Sequence, residues 1–140
     1  MKRNASAHWQ GGLKDGRGTV STASGVLDRA QYSFATRFEH GKGTNPEELI
    51  GAAHAGCFSM ALSMMLGEAG YTPESIDTKA TVNLEQSEGG FAITAVHLDV
   101  TAKVPGADAK GFEKAANDAK AGCPVSRLLN ADITMDTKLV

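Results

Sequence analysis

Leu49-Ile50-Gly51-Ala52-Ala53-His54-Ala55-Gly56-Cys57-Phe58-Ser59-Met60-Ala61-Leu62-Ser63-Met64-Met65-Leu66 runs 18 residues without Asp, Glu, Lys or Arg. The fold turns on where this segment is buried. By length it stands near the lower limit for a membrane-spanning helix. It also contains His54, Ser59 and Ser63 and is closely bracketed by Glu47, Glu48 and Glu68, so no membrane span is expected. A helix that is apolar nearly all round in a water-soluble chain must be buried on every side. In a domain this small that demands a partner.

The helix has clear signals at both ends. Asn45 is placed to cap it, Pro46 suits the first helical position, and Glu47-Glu48 lie in its first turn, where the dipole favours anions. It should stop between Gly67 and Gly70, with Gly70 suited to a left-handed C-cap and Pro73 following. About six turns result.

On the N-terminal side, Thr19 to Val26 and Gln31 to Phe38 read as strands around a turn, the second alternating through Tyr32, Phe34, Thr36 and Phe38, with Arg37 on the opposite face. On the C-terminal side, Lys79 to Glu85 and Phe91 to Val104 form a hairpin across Gln86-Ser87-Glu88-Gly89-Gly90, with Val96, Leu98, Val100, Ala102 and Val104 on one face. Ala107 to Lys120 is an amphipathic surface helix through Ala109, Phe112, Ala115, Ala116 and Ala119. Pro124 opens a short helix reaching Leu129, and Ile133, Met135 and Leu139 alternate in a last strand. The order ββ-α-ββ-α-α-β, without regular βαβ alternation, argues for an α+β fold with antiparallel sheet. A chain of 140 residues is expected to form one domain, residues 1–140.

Charge and cysteine content exclude several functions. Fourteen Lys+Arg against sixteen Asp+Glu, with no basic run, leave no footprint for nucleic acid. Two cysteines 66 positions apart make neither a disulfide framework nor a zinc knuckle. His8, His40 and His97 have no metal-ligand spacing, so no metal is expected. The basic N-terminus lacks an apolar run behind it, so no secretory signal is visible and the cytoplasm is the default.

Cys57 lies mid-helix, sharing a stripe with Ile50, Ala53, His54, Met60, Ala61 and Met64; an inert buried thiol is the plain alternative to a reactive one. Cys123, in Gly122-Cys123-Pro124, sits at or next to a helix N-terminus, a position that favours the thiolate; a chance cap position in a packed loop is the plain alternative. His54 stands one turn before Cys57, which admits either a Cys–His dyad or a satisfied core histidine. Arg37 and Glu47 are individually ordinary, a strand-end cation and a first-turn anion.

Together, the segments 44–59, Thr44-Asn45-Pro46-Glu47-Glu48 through Cys57-Phe58-Ser59, and 121–126, Ala121-Gly122-Cys123-Pro124-Val125-Ser126, resemble the family of osmotically inducible protein C and organic hydroperoxide resistance protein. Gly18-Thr19-Val20-Ser21-Thr22, Ser24-Gly25-Val26-Leu27 and Gly43-Thr44 extend the resemblance over nearly the whole chain, nearer to the osmotically inducible branch. The resemblance implies an intertwined α+β homodimer, with antiparallel sheets wrapped around long central helices. It also implies a thiol peroxidase that reduces organic hydroperoxides to alcohols. Cys57 matches the peroxidatic cysteine, Cys123 the resolving one, and Arg37 and Glu47 the assisting pair. The hydroperoxide-resistance branch takes its arginine from a Gly-Gly-Arg loop, whereas this chain has Gly11-Gly12-Leu13 there, which leaves Arg37.

The chemistry fits those residue types. A thiolate that attacks an O–O bond needs a lowered pKa and must expel an alkoxide, and Arg assists both. Glu47 beside the sulfur would oppose ionisation, so its useful role is to orient the guanidinium. Glu47 precedes Cys57 by ten residues, about 15 Å along an unbroken helix. Two helices crossing antiparallel near Gly51-Ala52-Ala53 would bring Glu47 of one subunit to Cys57 of the other; a kink before Cys57 is the alternative. Phe58, Met60, Leu62 and Met64 offer an apolar approach for an alkyl hydroperoxide, or core packing. The resemblance implies no cofactor beyond an external dithiol reductant, lipoyl-type or a lipoylated protein. Competing functions are an apolar-ligand carrier or stress-structural dimer with incidental cysteines, and a Cys–His hydrolase based on His54.

Overall fold

A computed structural model describes all residues, 1–140, and divides into two compact units, Met1–Leu49 and Ile50–Val140. The first holds a three-stranded antiparallel sheet of β1 (Ala5–Gln10), β2 (Arg17–Thr22) and β3 (Ala30–Tyr32), in that order. Trp9 and Tyr32 flank Gly18 across β2 with ring centroids 5.4 Å apart. A Cβ at Gly18 would run into both rings, so glycine is needed there for close approach.

The expected strand over 31–38 is corrected. The strand, β3, is confined to Ala30–Tyr32, and Phe34–Phe38 forms a short helix, α1. Ser33 starts it with a reciprocal capping box: Thr36 N–H donates to Ser33 Oγ at 3.3 Å and Ser33 N–H to Thr36 Oγ1 at 2.8 Å. Phe34 and Phe38, four residues apart, then stack with centroids 4.8 Å apart. Alternation of aromatic residues was a weaker determinant than this cap.

The long helix α2 runs over Pro46–Glu68 without interruption. Asn45 caps it as expected, its Oδ1 accepting Glu48 N–H at 2.8 Å. At the other end Gly70 adopts φ +87°, and Tyr71 N–H closes back to Leu66 C=O at 2.8 Å.

In the second unit, β4 (Ser75–Ser87) and β5 (Gly90–Lys103) form the expected hairpin, β4 being longer at both ends while β5 starts one residue earlier and stops one residue before Val104. Helix α3 (Ala109–Gly122) is capped by Asp108, α4 spans Pro124–Leu128, and β6 (Asp132–Leu139) closes the sheet. The expectation of a purely antiparallel sheet is corrected here, because β6 pairs with β5 in parallel. Two helices between β5 and β6 carry the chain back to the start of the sheet, which a tight turn cannot do.

The core of this unit joins Phe58, Leu62 and Leu66 of α2, the β5 face Val96-Leu98-Val100-Ala102, and Phe112, Ala115, Ala116 and Ala119 of α3. Ser59 Oγ and Thr78 Oγ1, 2.8 Å apart, pin α2 to β4. By length and composition α2 could cross a membrane. It is instead two-faced: Gly51, His54, Phe58, Leu62 and Leu66 are buried, while Met60 is 77% and Met64 55% exposed. The open face is apolar without being covered.

Candidate active site

Chemistry-bearing side chains gather in each unit. In the second, α2 presents Cys57 half-buried, and the junction of α3 and α4 presents Cys123 fully buried. Cys123 ends one helix and begins the next: its N–H donates to Ala119 C=O at 2.8 Å, and its C=O accepts Arg127 N–H at 3.0 Å. Bound by both helices, its sulfur reaches Cys57 Sγ at 3.0 Å; both are free thiols. The sequence-predicted cysteines therefore meet, with no backbone movement needed for the two sulfurs to touch.

The two thiols differ electrostatically. Burial pushes the Cys57 thiol up, and the bond to Cys123 and that group's charge push it further, against a favourable backbone contact from Val125. Burial also works against the Cys123 thiolate, but the Cys57 thiol, the Ser126 N–H and hydroxyl and the Val125 N–H outweigh it and hold Cys123 below its ordinary value. Within one chain these surroundings favour the Cys123 thiolate over that of Cys57.

His54 is fully buried and does not form the expected alternative dyad with Cys57. Its Nε2 lies 2.7 Å from Ser126 Oγ on α4, and its Nδ1 has no hydrogen-bond partner. Burial lowers its pKa and so favours the neutral ring. Phe58 and Leu62, considered as a substrate approach, belong wholly to the core.

In the first unit, the α1 cap turns Arg37 towards the start of α2. Its Nη2 donates to Glu47 Oε1 at 2.7 Å, and its Nε lies 3.1 and 3.2 Å from the two carboxylate oxygens. This fork fixes the plane of the guanidinium. The carboxylate is buried, while the Arg37 side chain remains 38% exposed, so the cation is held and still presented. Phe38 lies under it, 5.4 Å from Cζ to the ring centroid. Sequence reasoning missed what adjoins it: a cavity of about 210 Å³ lined by Trp9, Leu13, Tyr32, Phe34, Phe38 and Pro46, apolar except where Ser33 and Arg37 enter.

Sequence spacing also missed a surface group. Parallel pairing of β5 with β6 puts Asp99 opposite Asp136, and His97 Nε2 stands 3.4 and 3.3 Å from their carboxylates, its Nδ1 2.7 Å from Thr134 Oγ1. These three could offer one nitrogen and two oxygens to a cation. The two aspartates are exposed and His97 is half-buried, and the group lies on β5 and β6, whereas Cys57 lies on α2 and Cys123 at the junction of α3 and α4.

Residues 39–138 match the model of the OsmC-like protein family. The chain belongs to this family. It is 61% identical over 139 residues to Peroxiredoxin OsmC of Escherichia coli strain K12, covering 99% of this chain and 97% of that one. It is 32% identical over 124 residues to the organic hydroperoxide resistance protein OhrB of Bacillus subtilis strain 168, covering 86% and 89%. The crystal structure of an organic hydroperoxide resistance protein OsmC from Legionella pneumophila superposes with a TM-score of 0.74 at 26% identity, covering 99% of this chain and 97% of that one. The α+β architecture is thus an OsmC-family fold, and the cysteine pair and the Arg37–Glu47 fork are its candidate machinery in this chain.

Proposed function

We propose that this OsmC-family chain is a cysteine peroxidase that reduces organic hydroperoxides to alcohols, with Cys57 as the attacking thiol and Cys123 as the resolving one. The observation that carries it is the 3.0 Å approach of two free sulfurs held by different helices. The Cys57 thiolate attacks the terminal peroxide oxygen; the S–O bond forms as O–O breaks, and the alkoxide leaves and takes a proton. Cys57 is left as a sulfenic acid. Cys123 then displaces hydroxide from it, giving a disulfide, and an external dithiol of lipoyl type returns both thiols by exchange.

The working unit is a homodimer. Within one chain burial and the neighbouring Cys123 push the Cys57 thiol up, so a nearby cation is needed to favour the nucleophilic thiolate. Helix α2 is continuous, so a kink does not shorten the ten-residue interval from Glu47 to Cys57. Its open face supports the antiparallel crossing: Ala52, Ala53, Gly56, Met60 and Met64 are apolar or small and exposed, and nothing stands within 4 Å of a Cβ at Gly56. Gly51 takes no part in it, since that residue faces Ala80 and Val82 of β4. A second α2 on this face would bury the apolar stripe and bring a partner's Arg37–Glu47 fork to Cys57. The aromatic cavity beside Arg37 fits an alkyl or aryl tail, which favours organic peroxides. A cytoplasmic location suits thiols that must be returned to the reduced state.

The test is to mix reduced protein with t-butyl or cumene hydroperoxide and follow peroxide loss and the Cys57–Cys123 disulfide by mass. Peroxide loss with no disulfide sinks the two-cysteine cycle. Unchanged protection of cells by a Cys57→Ser variant would instead favour a carrier.

A further inference from the structure

A second group of ligand-bearing side chains lies on the solvent face of the β4–β5–β6 sheet. Val96, Leu98 and Val100 of β5 are buried in the core, so His97 and Asp99 point the other way. Parallel pairing sets Thr134 of β6 beside His97 and Asp136 beside Asp99. Only the direction of β6 creates this placement.

The carboxylates are poorly matched within the chain. Asp99 and Asp136 stand directly opposite each other, an arrangement that costs stability between like charges. Their only ion-pair contacts are with His97 Nε2, at 3.4 Å from Asp99 Oδ1 and 3.3 Å from Asp136 Oδ2; Lys79, opposite Asp99 on β4, makes none. Neither His97 contact is a hydrogen bond, and both exceed the ~2.7–2.9 Å of a charged N–H donor on a carboxylate. The ring's hydrogen bond is made elsewhere, between Nδ1 and Thr134 Oγ1 at 2.7 Å.

We propose that His97, Asp99 and Asp136 form a binding site for a divalent transition-metal ion of the zinc class, with Thr134 as the positioning residue for the imidazole. Metal–ligand bonds of about 2.0–2.1 Å at the tetrahedral angle set ligand atoms about 3.3–3.4 Å apart. Nε2 stands at that separation from both carboxylate oxygens. The three ligand atoms lie within 4.8 Å of one another, and rotation of the exposed carboxylates closes the remaining edge. Magnesium, octahedral with bonds of ~2.0–2.1 Å, would set neighbouring ligands about 2.8–3.0 Å apart and prefers oxygen alone. A nitrogen beside two carboxylates suits zinc, cobalt or nickel. Nδ1–H donated to Thr134 Oγ1 leaves the lone pair on Nε2, the outer-shell arrangement that orients a ligating histidine. Three protein ligands leave a fourth corner for water or a small ligand from solution. Because α2 packs on the opposite face of the sheet, a dimer formed through the open side of α2 leaves the site accessible.

The experiment titrates full-length reduced protein with Co2+, followed by absorption, and repeats it in Cys57→Ser. Cobalt on a thiolate gives an intense near-ultraviolet charge-transfer band that a nitrogen–oxygen site lacks, so any ion held by the cysteines is read separately. The expected result is one Co2+ per chain bound without that band, in both proteins, displaced by Zn2+ and not by excess Mg2+. His97→Gln and Asp136→Asn should each weaken this step at least about tenfold, and Thr134→Val about tenfold, the range for loss of an outer-shell partner. Cobalt bound only with the thiolate band, or a band-free step of equal affinity in His97→Gln and Asp136→Asn, overturns the site. Displacement by Mg2+ as readily as by Zn2+ overturns its assignment to the zinc class. None of these readouts depends on the peroxidase cycle.

Discussion

Arg37 and Glu47 meet through a fork in which Nη2 and Nε both address the carboxylate, the shortest contact being 2.7 Å. Ten residues separate them, and the contact exists because the Ser33 cap makes residues 34–38 helical and turns Arg37 to the first turn of α2.

Replacing this fork with a point charge should be costly. In Arg37→Lys the charge remains but two-pronged orientation is lost. We expect kcat/KM for t-butyl hydroperoxide to fall at least about tenfold, with Glu47→Gln falling comparably because the cation is no longer oriented by an anion. Steady-state peroxide consumption with a dithiol reductant checks both.

Each cysteine should fail differently. Cys57→Ser is expected to lose peroxide consumption altogether. Cys123→Ser should still make one sulfenic acid per chain and then stall, because no neighbouring thiolate condenses with it. Dimedone adduct mass after a single equivalent of peroxide distinguishes the two.

Acid should destabilise the fold through His54. Its pKa is lowered by burial from the ordinary 6.5, so the unfolded chain binds this proton more readily than the folded one. The stability held by the neutral ring is fully present above pH 6.5 and is lost as pH falls from there towards the folded pKa. The slope from one such proton is at most about 1.4 kcal/mol per pH unit. Urea unfolding from pH 7.5 to 5 should show a steeper decline in the unmodified protein than in His54→Gln.

The two faces of α2 should separate stability from assembly. Leu62→Ala removes a fully buried side chain and should cost about 2–5 kcal/mol. Met64→Asp on the open face should leave secondary structure intact and abolish self-association, read by sedimentation alongside circular dichroism.

Ser33→Ala removes half of the α1 capping box, a loss of about 1 kcal/mol. Its larger effect should be functional, since Arg37 loses its fixed approach to Glu47. Peroxidase activity should drop more than the melting temperature suggests.

Much of the chain is legible by local rules. Asn45-Pro46-Glu47-Glu48 starts α2 and Gly70 stops it because capping needs only residues within one turn. The β4–β5 hairpin and the buried stripe of β5 follow from alternation. Helix α1 was hidden because Tyr32, Phe34, Thr36 and Phe38 alternate like a strand, while five helical residues are too few to show a 3.6-residue period. The parallel partner of β5 was hidden because strand direction is set by the crossover through α3 and α4, not by any residue of β6.

Local pattern and motif order suffice for the long apolar helix, its ends, the α+β class and the family resemblance carried by the segments around Cys57 and Cys123. The tertiary structure decided which residues meet. It joined sulfurs 66 residues apart, turned His54 from Cys57 to Ser126, gave Arg37 its fork and aromatic cavity, and left one face of α2 bare. Those outcomes depend on how helices and strands distant in sequence stack to bury apolar area, and packing of that kind has no signature in neighbouring residues.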